Sequence, residues 1–191
     1  MWYALREAYA DRLLTLQPAE SYLRAVLVNE TASAWITEVH ARRLGLHGQL
    51  LAEVRLPVTA EARSMAAVPL PASVGVPSHA TDEVLIVDAG DRRSVWTWLP
   101  DRDLAYPPAD ADATVTADAT GYIVSVTARS LLRDVCLFPD RLHPDATVDA
   151  MLRTLLPGES ATFVVVSPPL EDPSLLTARP VLRCVNDTAR A

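Results

Sequence analysis

From Pro18 onward the apolar residues of this chain recur at every second position, in short runs cut by proline, glycine and aspartate. A period of two puts successive side chains on opposite faces of an extended strand. Most of the chain can therefore bury apolar area only as sheets, with one face in and one face out. The run from Leu155 to Phe163 shows the pattern at its clearest. Pro157-Gly158 supplies the fixed φ and the permissive φ of a turn, and Ala161, Phe163 and Val165 then alternate with Thr162 and Val164.

Ahead of Pro18 the period is different. Trp2, Leu5, Tyr9, Leu13 and Leu16 lie at helical spacing, with Arg6, Glu7, Asp11 and Arg12 off that stripe, which predicts one amphipathic helix over residues 1–16 with no second helix to pack on. Strands are expected at Tyr22–Val28, Trp35–Leu46, Gln49–Val58, Ser64–Leu70, Val84–Asp88 and Arg92–Leu99, with His47-Gly48 and Gly90-Asp91 as hairpin turns. A second series covers Ala113–Ala117, Tyr122–Ala128, Leu131–Phe138, Met151–Leu155, Ala161–Val166 and Val181–Val185. Between the two series lies Pro107-Pro108-Ala109-Asp110-Ala111-Asp112, which cannot continue a central strand. The expected fold class is all-β: two tandem immunoglobulin-like β-sandwiches over residues 17–107 and 108–191, preceded by the short helix.

Charge and composition narrow the function classes. The 191 residues carry a formal net charge of −7, and all 17 basic residues are arginine with no basic stripe, so nucleic acid is not an expected partner. No signal-like opening and no run of 18 apolar residues occurs, so no membrane partner is expected and a cytoplasmic location is. Cys136 and Cys184 both fall on expected strands; two buried free thiols are the plainer reading, and an inter-sheet bridge is the alternative.

Candidate chemistry is sparse. Asn29-Glu30 could present an acid/base carboxylate, but no βα alternation builds the opposing carboxylate that a retaining glycosidase needs, and the pair reads as a turn. Asp140, His143, Asp145 and Asp149 have donor chemistry for a divalent cation without the spacing of a metal loop, and Asp110, Asp112 and Asp118 lack an organising glycine. No metal and no cofactor is expected, since a Gly-rich phosphate loop and a CxxC are both missing. Trp96 and Trp98, two apart on one strand, face the same side: they suit a core or an interface, and they are the candidates for stacking on a sugar ring. Asn29-Glu30-Thr31 and Asn186-Asp187-Thr188 match the glycosylation acceptor pattern and read more simply as turns.

Several segments taken in order resemble the carboxy-terminal part of β-mannosidases of glycoside hydrolase family 2. They are Trp2-Tyr3-Ala4-Leu5-Arg6 with Ala8-Tyr9, Val26-Leu27-Val28-Asn29-Glu30-Thr31, Asp101-Arg102-Asp103-Leu104, Val126-Thr127-Ala128-Arg129 through Leu137, and Leu155-Leu156-Pro157-Gly158-Glu159. The resemblance implies that residues 1–16 are the last helix of a (β/α)8 barrel and that the two sandwiches follow it. It implies retaining hydrolysis of terminal β-mannose by the complete enzyme, while neither catalytic glutamate has a counterpart here. The expected role is therefore a non-catalytic accessory pair whose partner is the catalytic barrel, in cis or in trans, with a mannose-containing carbohydrate as a second candidate partner. A stand-alone carbohydrate-binding module and a protein-interaction module are the competing readings.

Overall fold

The computed structural model describes residues 2–20 and 22–187, and the chain divides into two compact units at Ala105/Tyr106. The first unit holds helix α1 (Trp2–Ala8), strands β1 (Arg12–Pro18), β2 (Leu23–Asn29), β3 (Trp35–Gly45), β4 (Leu50–Ala60) and β5 (Ser64–Pro69), the one-turn helix α2 (Ala72–Gly75), and strands β6 (Glu83–Ala89) and β7 (Arg92–Trp96). Its strands form two antiparallel sheets, ordered β1-β2-β5 and β4-β3-β6-β7. The hairpins β3–β4 and β6–β7 turn at Gly48 (φ 90°) and Gly90 (φ 62°), the two glycine turns visible in the sequence.

The amino-terminal helix is shorter than its spacing predicts. Residues 2–8 are helical, but Arg12–Pro18 is a strand paired with β2 from Arg12↔Asn29 to Pro18↔Leu23, so the first sandwich begins at residue 12 and not 17. Arg12-Leu13-Leu14-Thr15-Leu16-Gln17 satisfies both periods, and burial arbitrates: Leu14 and Leu16 sit in the core while Leu13 faces the outer side. A seven-residue pairing satisfies more backbone than an isolated amphipathic turn with nothing to pack on.

The core of this unit lies between its two sheets. Leu14, Leu16, Leu23, Ala25 and Leu27 from one sheet pack with Trp35, Val39, Ala41, Leu85, Val87 and Ala89 from the other. These are the alternate residues of β1, β2, β3 and β6, as a period of two requires. The fourth strand joins the β3 sheet, leaving three strands facing four. In a constant-type immunoglobulin domain the fourth strand joins the other sheet.

The second unit has strands β8 (Ala111–Asp118), β9 (Gly121–Ala128), β10 (Leu132–Leu137), β11 (Thr147–Val148), β12 (Arg153–Leu155), β13 (Ser160–Val166) and β14 (Leu182–Arg183), in sheets β11-β13-β9-β8 and β12-β10-β14. Tyr122, Val124, Val126 and Ala128 alternate cleanly inward along β9, and Phe163 and Val165 do so along β13. Strand β10 departs from the regular pattern: a bulge between Leu132 and Val135 leaves Asp134 at φ 49°.

Gly121 fixes the start of β9. Its φ is +151°, and a Cβ there would lie 2.2 Å from the Val165 carbonyl oxygen and 2.9 Å from the Ser167 nitrogen. Neither backbone atom can yield without opening the β13–β9 ladder, which ends at Val166↔Gly121. Gly121→Ala is expected to destabilise the second unit by about 1–3 kcal/mol, read as an earlier denaturant transition; an unchanged transition would mean that the ladder end is slack.

Candidate functional site

Trp96 closes β7 opposite Leu85, a core residue, and Trp98 follows two positions on. Both indoles are half-buried and pack against the inter-sheet core. Trp98 Nε1 donates to the carbonyl oxygen of Gly75 at 3.2 Å, tying the end of β7 to α2, while the Trp96 indole N–H has no hydrogen-bond partner among the described residues. The structure thus brings the two sequence candidates together on the inward side of the sheet, with part of each ring already in contact with protein.

Asn29, flagged by sequence for a possible acid/base pair, is fully buried and works as a backbone clasp. Its Nδ2 donates to the carbonyls of Ser33 (2.9 Å), Ala60 (2.9 Å) and Glu61 (3.0 Å), and its Oδ1 accepts from Thr31 N (3.2 Å) and Thr31 Oγ1 (2.7 Å). The end of β2 is thereby joined to the end of β4 and to the loop before β3. Glu30 beside it is exposed, its N–H bonded to the Asp11 carbonyl. Asn186 plays the matching part in the second unit: its Nδ2 donates to the carbonyls of Pro107 (3.0 Å) and Leu131 (2.8 Å), and its Oδ1 accepts from Arg133 N (2.9 Å). An amide so engaged is not presented for glycosylation; Thr188 of the second acceptor pattern lies outside the described residues.

The acidic loop residues are spread over separate tasks. Asp149 accepts from Val164 N at 2.8 Å and so holds β13, His143 Nδ1 accepts from Asp145 N at 3.2 Å, and Asp140 is exposed in a short 3-10 turn. Asp110 and Asp112 clamp Arg129, with Nε to Asp110 Oδ1 at 2.9 Å and Nη1 to Asp112 Oδ2 at 3.0 Å, while Asp118 takes the Thr120 hydroxyl at 3.5 Å. Among the described residues no three His, Cys, Asp or Glu side chains stand together in a way that could hold a metal ion. Cys136 is half-buried and Cys184 buried, and both are free. Burial raises the Cys136 thiol and raises that of Cys184 to about 11, away from the range of a reactive thiolate.

Sequence reading missed the most buried charge of the first unit. Glu83, 3% exposed, begins β6 on the core face. It accepts from Arg43 Nη1 at 2.5 Å, from His79 N at 2.9 Å and from Ser78 N at 3.2 Å; Arg43 in turn donates to the Ser73 carbonyl and the Ser78 hydroxyl. Arg43 and Glu83 are far apart in sequence, and the only signal was a charged residue on the inward phase of each strand. Burial by itself would raise the Glu83 carboxyl, but the Arg43 hydrogen bond and the two backbone N–H groups outweigh it and hold it below its ordinary value. On the outward face, Arg42 and Arg93 both pair with Asp88, and His40 bonds Glu53 at 2.9 Å, which holds the Glu53 carboxyl low.

No protein-family model and no curated protein matches the chain in sequence. Among solved structures, the β-D-mannosidase of Dictyoglomus thermophilum is similar over 96% of this chain and 22% of its own, at a TM-score of 0.75 and 15% identity. The exo-chitosanase CsxA of Amycolatopsis orientalis is similar over 97% of this chain and 26% of its own, at a TM-score of 0.59 and 15% identity. The chain shares its fold with a segment of these glycosidases. It spans about a quarter of their length. None of its helices, among the described residues, is long and apolar enough to cross a membrane.

The Glu83 clasp yields a pH dependence. Because its folded pKa is depressed, its contribution to stability is complete above the unfolded carboxylate value, about 4.3, and is lost as pH falls through the folded value. Glu83→Gln should cost about 3–5 kcal/mol at pH 7 and should flatten the acid limb of the first unit's stability profile. An acid limb as steep in the variant as in the parent chain would show that the clasp is not the titrating group.

Proposed function

We propose that the chain is the paired accessory sandwiches of a β-mannosidase-type glycoside hydrolase, working beside a catalytic (β/α)8 barrel that supplies both catalytic carboxylates. The observation that carries this reading is the structural likeness to the Dictyoglomus β-D-mannosidase, which takes in nearly all of this chain and about a fifth of that one. The polar side chains of the described residues support it: Asn29, Asn186, Glu83, Asp110, Asp112 and Asp149 are occupied in holding strand ends and loops. Retaining hydrolysis needs two carboxyl groups about 5–5.5 Å apart on either side of a sugar, and in this reading that pair lies on the barrel.

In this reading α1 is the barrel-facing element. It has no buried residue, and Trp2 and Tyr9 are 67% and 85% exposed, with Leu5 on the same stripe. A helix this short and this exposed gains nothing from propensity and needs a partner surface for its apolar side. Arg92 Nη1 to Glu7 Oε1, at 3.1 Å, ties the helix to β7. Because β1 belongs to the sheet, the docking part is confined to residues ahead of Arg12, and their removal leaves both sandwiches intact.

The test is turnover of a chromogenic β-mannoside by the purified 191-residue chain. Release at the rate of the buffer control is expected at every pH examined. Saturable turnover that survives repurification would overturn the accessory reading and direct attention to Glu30 and the loop carboxylates.

A further inference from the structure

The two sheets of the second unit close unevenly. On the side where β8 ends one sheet and β14 ends the other, a cavity of about 150 Å³ lies between them, open to solvent on one side. The strand pairing explains it. Ala111 and Ala113 of β8 stand opposite Ala128 and Val126 of β9, both buried, so the two alanines occupy the inward phase of the edge strand. With Ala109 just ahead of them, they line the cavity with single methyl groups, and the space a leucine or valine would take is left unfilled. The other sheet contributes Leu182 of β14 and the buried Cys184 beside it, and β14 is only two residues long.

The charges beside this cavity offer little to a charged guest. Arg179 Nη2 donates to Asp187 Oδ1, Asp187 Oδ2 accepts from Cys184 N at 3.1 Å, and the Asp187 side chain is 6% exposed. Arg183 takes the outward phase of β14: Leu182 pairs with the fully buried Leu137, and Arg183 with the half-buried Cys136. An anion would meet the Asp187 carboxylate and a cation the Arg179 guanidinium, so each would compete with an ion pair already formed. A sugar would turn hydroxyl groups against alanine methyls, leucine and a thiol that cannot satisfy them. Uncharged apolar surface suits the walls best.

We propose that this cavity is a binding site for a small uncharged apolar molecule about the size of a benzene ring, held between the alanine row of β8 and the Leu182–Cys184 wall. An apolar cavity of about 150 Å³ is large enough for such a guest. The guest bridges the edge strands of the two sheets, which have no backbone ladder between them, and so stabilises the second unit. The site lies wholly within that unit and does not depend on the accessory role.

The probe is benzene, added to the full chain up to saturation of the buffer and followed by the alanine methyl resonances and by thermal melting. Saturable shifts of the Ala111 and Ala113 methyl groups are expected, with a melting temperature that rises with benzene; mannose at the same concentration should move neither. Ala111→Leu extends a side chain into the cavity and should weaken benzene binding at least about tenfold, equivalent to about 1.4 kcal/mol, in a chain that melts no earlier than the parent. Should that variant fail to fold, Ala113→Val serves the same purpose. The proposal is overturned by unshifted methyl groups at benzene saturation, by shifts that map elsewhere in the chain, by an equal response to mannose, or by undiminished affinity in the filled variant.

Discussion

A sandwich can exclude water from its core only where the chain's polar groups at the sheet rims find partners inside the protein. In the first unit two buried polar side chains, Asn29 and Glu83, meet this requirement at the ends of strands. Asn29 joins the ends of β2 and β4, which belong to different sheets, by donating to the Ala60 and Glu61 carbonyls. Glu83 with Arg43 anchors the loop carrying α2, which Trp98 also grips through Gly75. The inward rows of leucine, valine and alanine meet between these rims, and Trp96 and Trp98 pack against the same core.

This arrangement explains why the chain is poor in candidate chemistry despite 24 acidic residues. Buried Glu83 accepts from a guanidinium and two backbone N–H groups, buried Asn29 and Asn186 bond backbone groups, and Asp110 and Asp112 share Arg129. The free thiols are raised by burial.

Most of the strands were legible in the sequence because a period of two with Gly and Pro punctuation is a local signal; β9 and β13 follow it residue by residue. Residues 12–16 fall in the expected helix but form a strand, because their leucines fit both periods and their partner, β2, decides the matter by tertiary pairing. Thr147–Val148 escaped notice since two residues carry no period. Asn29 was visible as a special residue but for the wrong chemistry: Asn-Glu after a strand does not distinguish a catalytic tip from an amide clasp. Glu83–Arg43 was invisible because a buried pair forty residues apart leaves only two charges on the inward phase of their strands. The Trp96 and Trp98 pair was seen, and its inward setting came from the register with β6.

The most direct measurement of the accessory role is β-mannoside turnover and thermal inactivation of a catalytic barrel joined to this chain, compared with the same barrel joined to the chain carrying Trp2→Ser, Leu5→Ser and Tyr9→Ser. The account predicts that the intact helix face gives a longer-lived, more active barrel, with both sandwiches melting alike in the two proteins. Equal activity and equal inactivation rates would contradict it, since a sandwich pair that braces a barrel through α1 cannot lose that face without consequence.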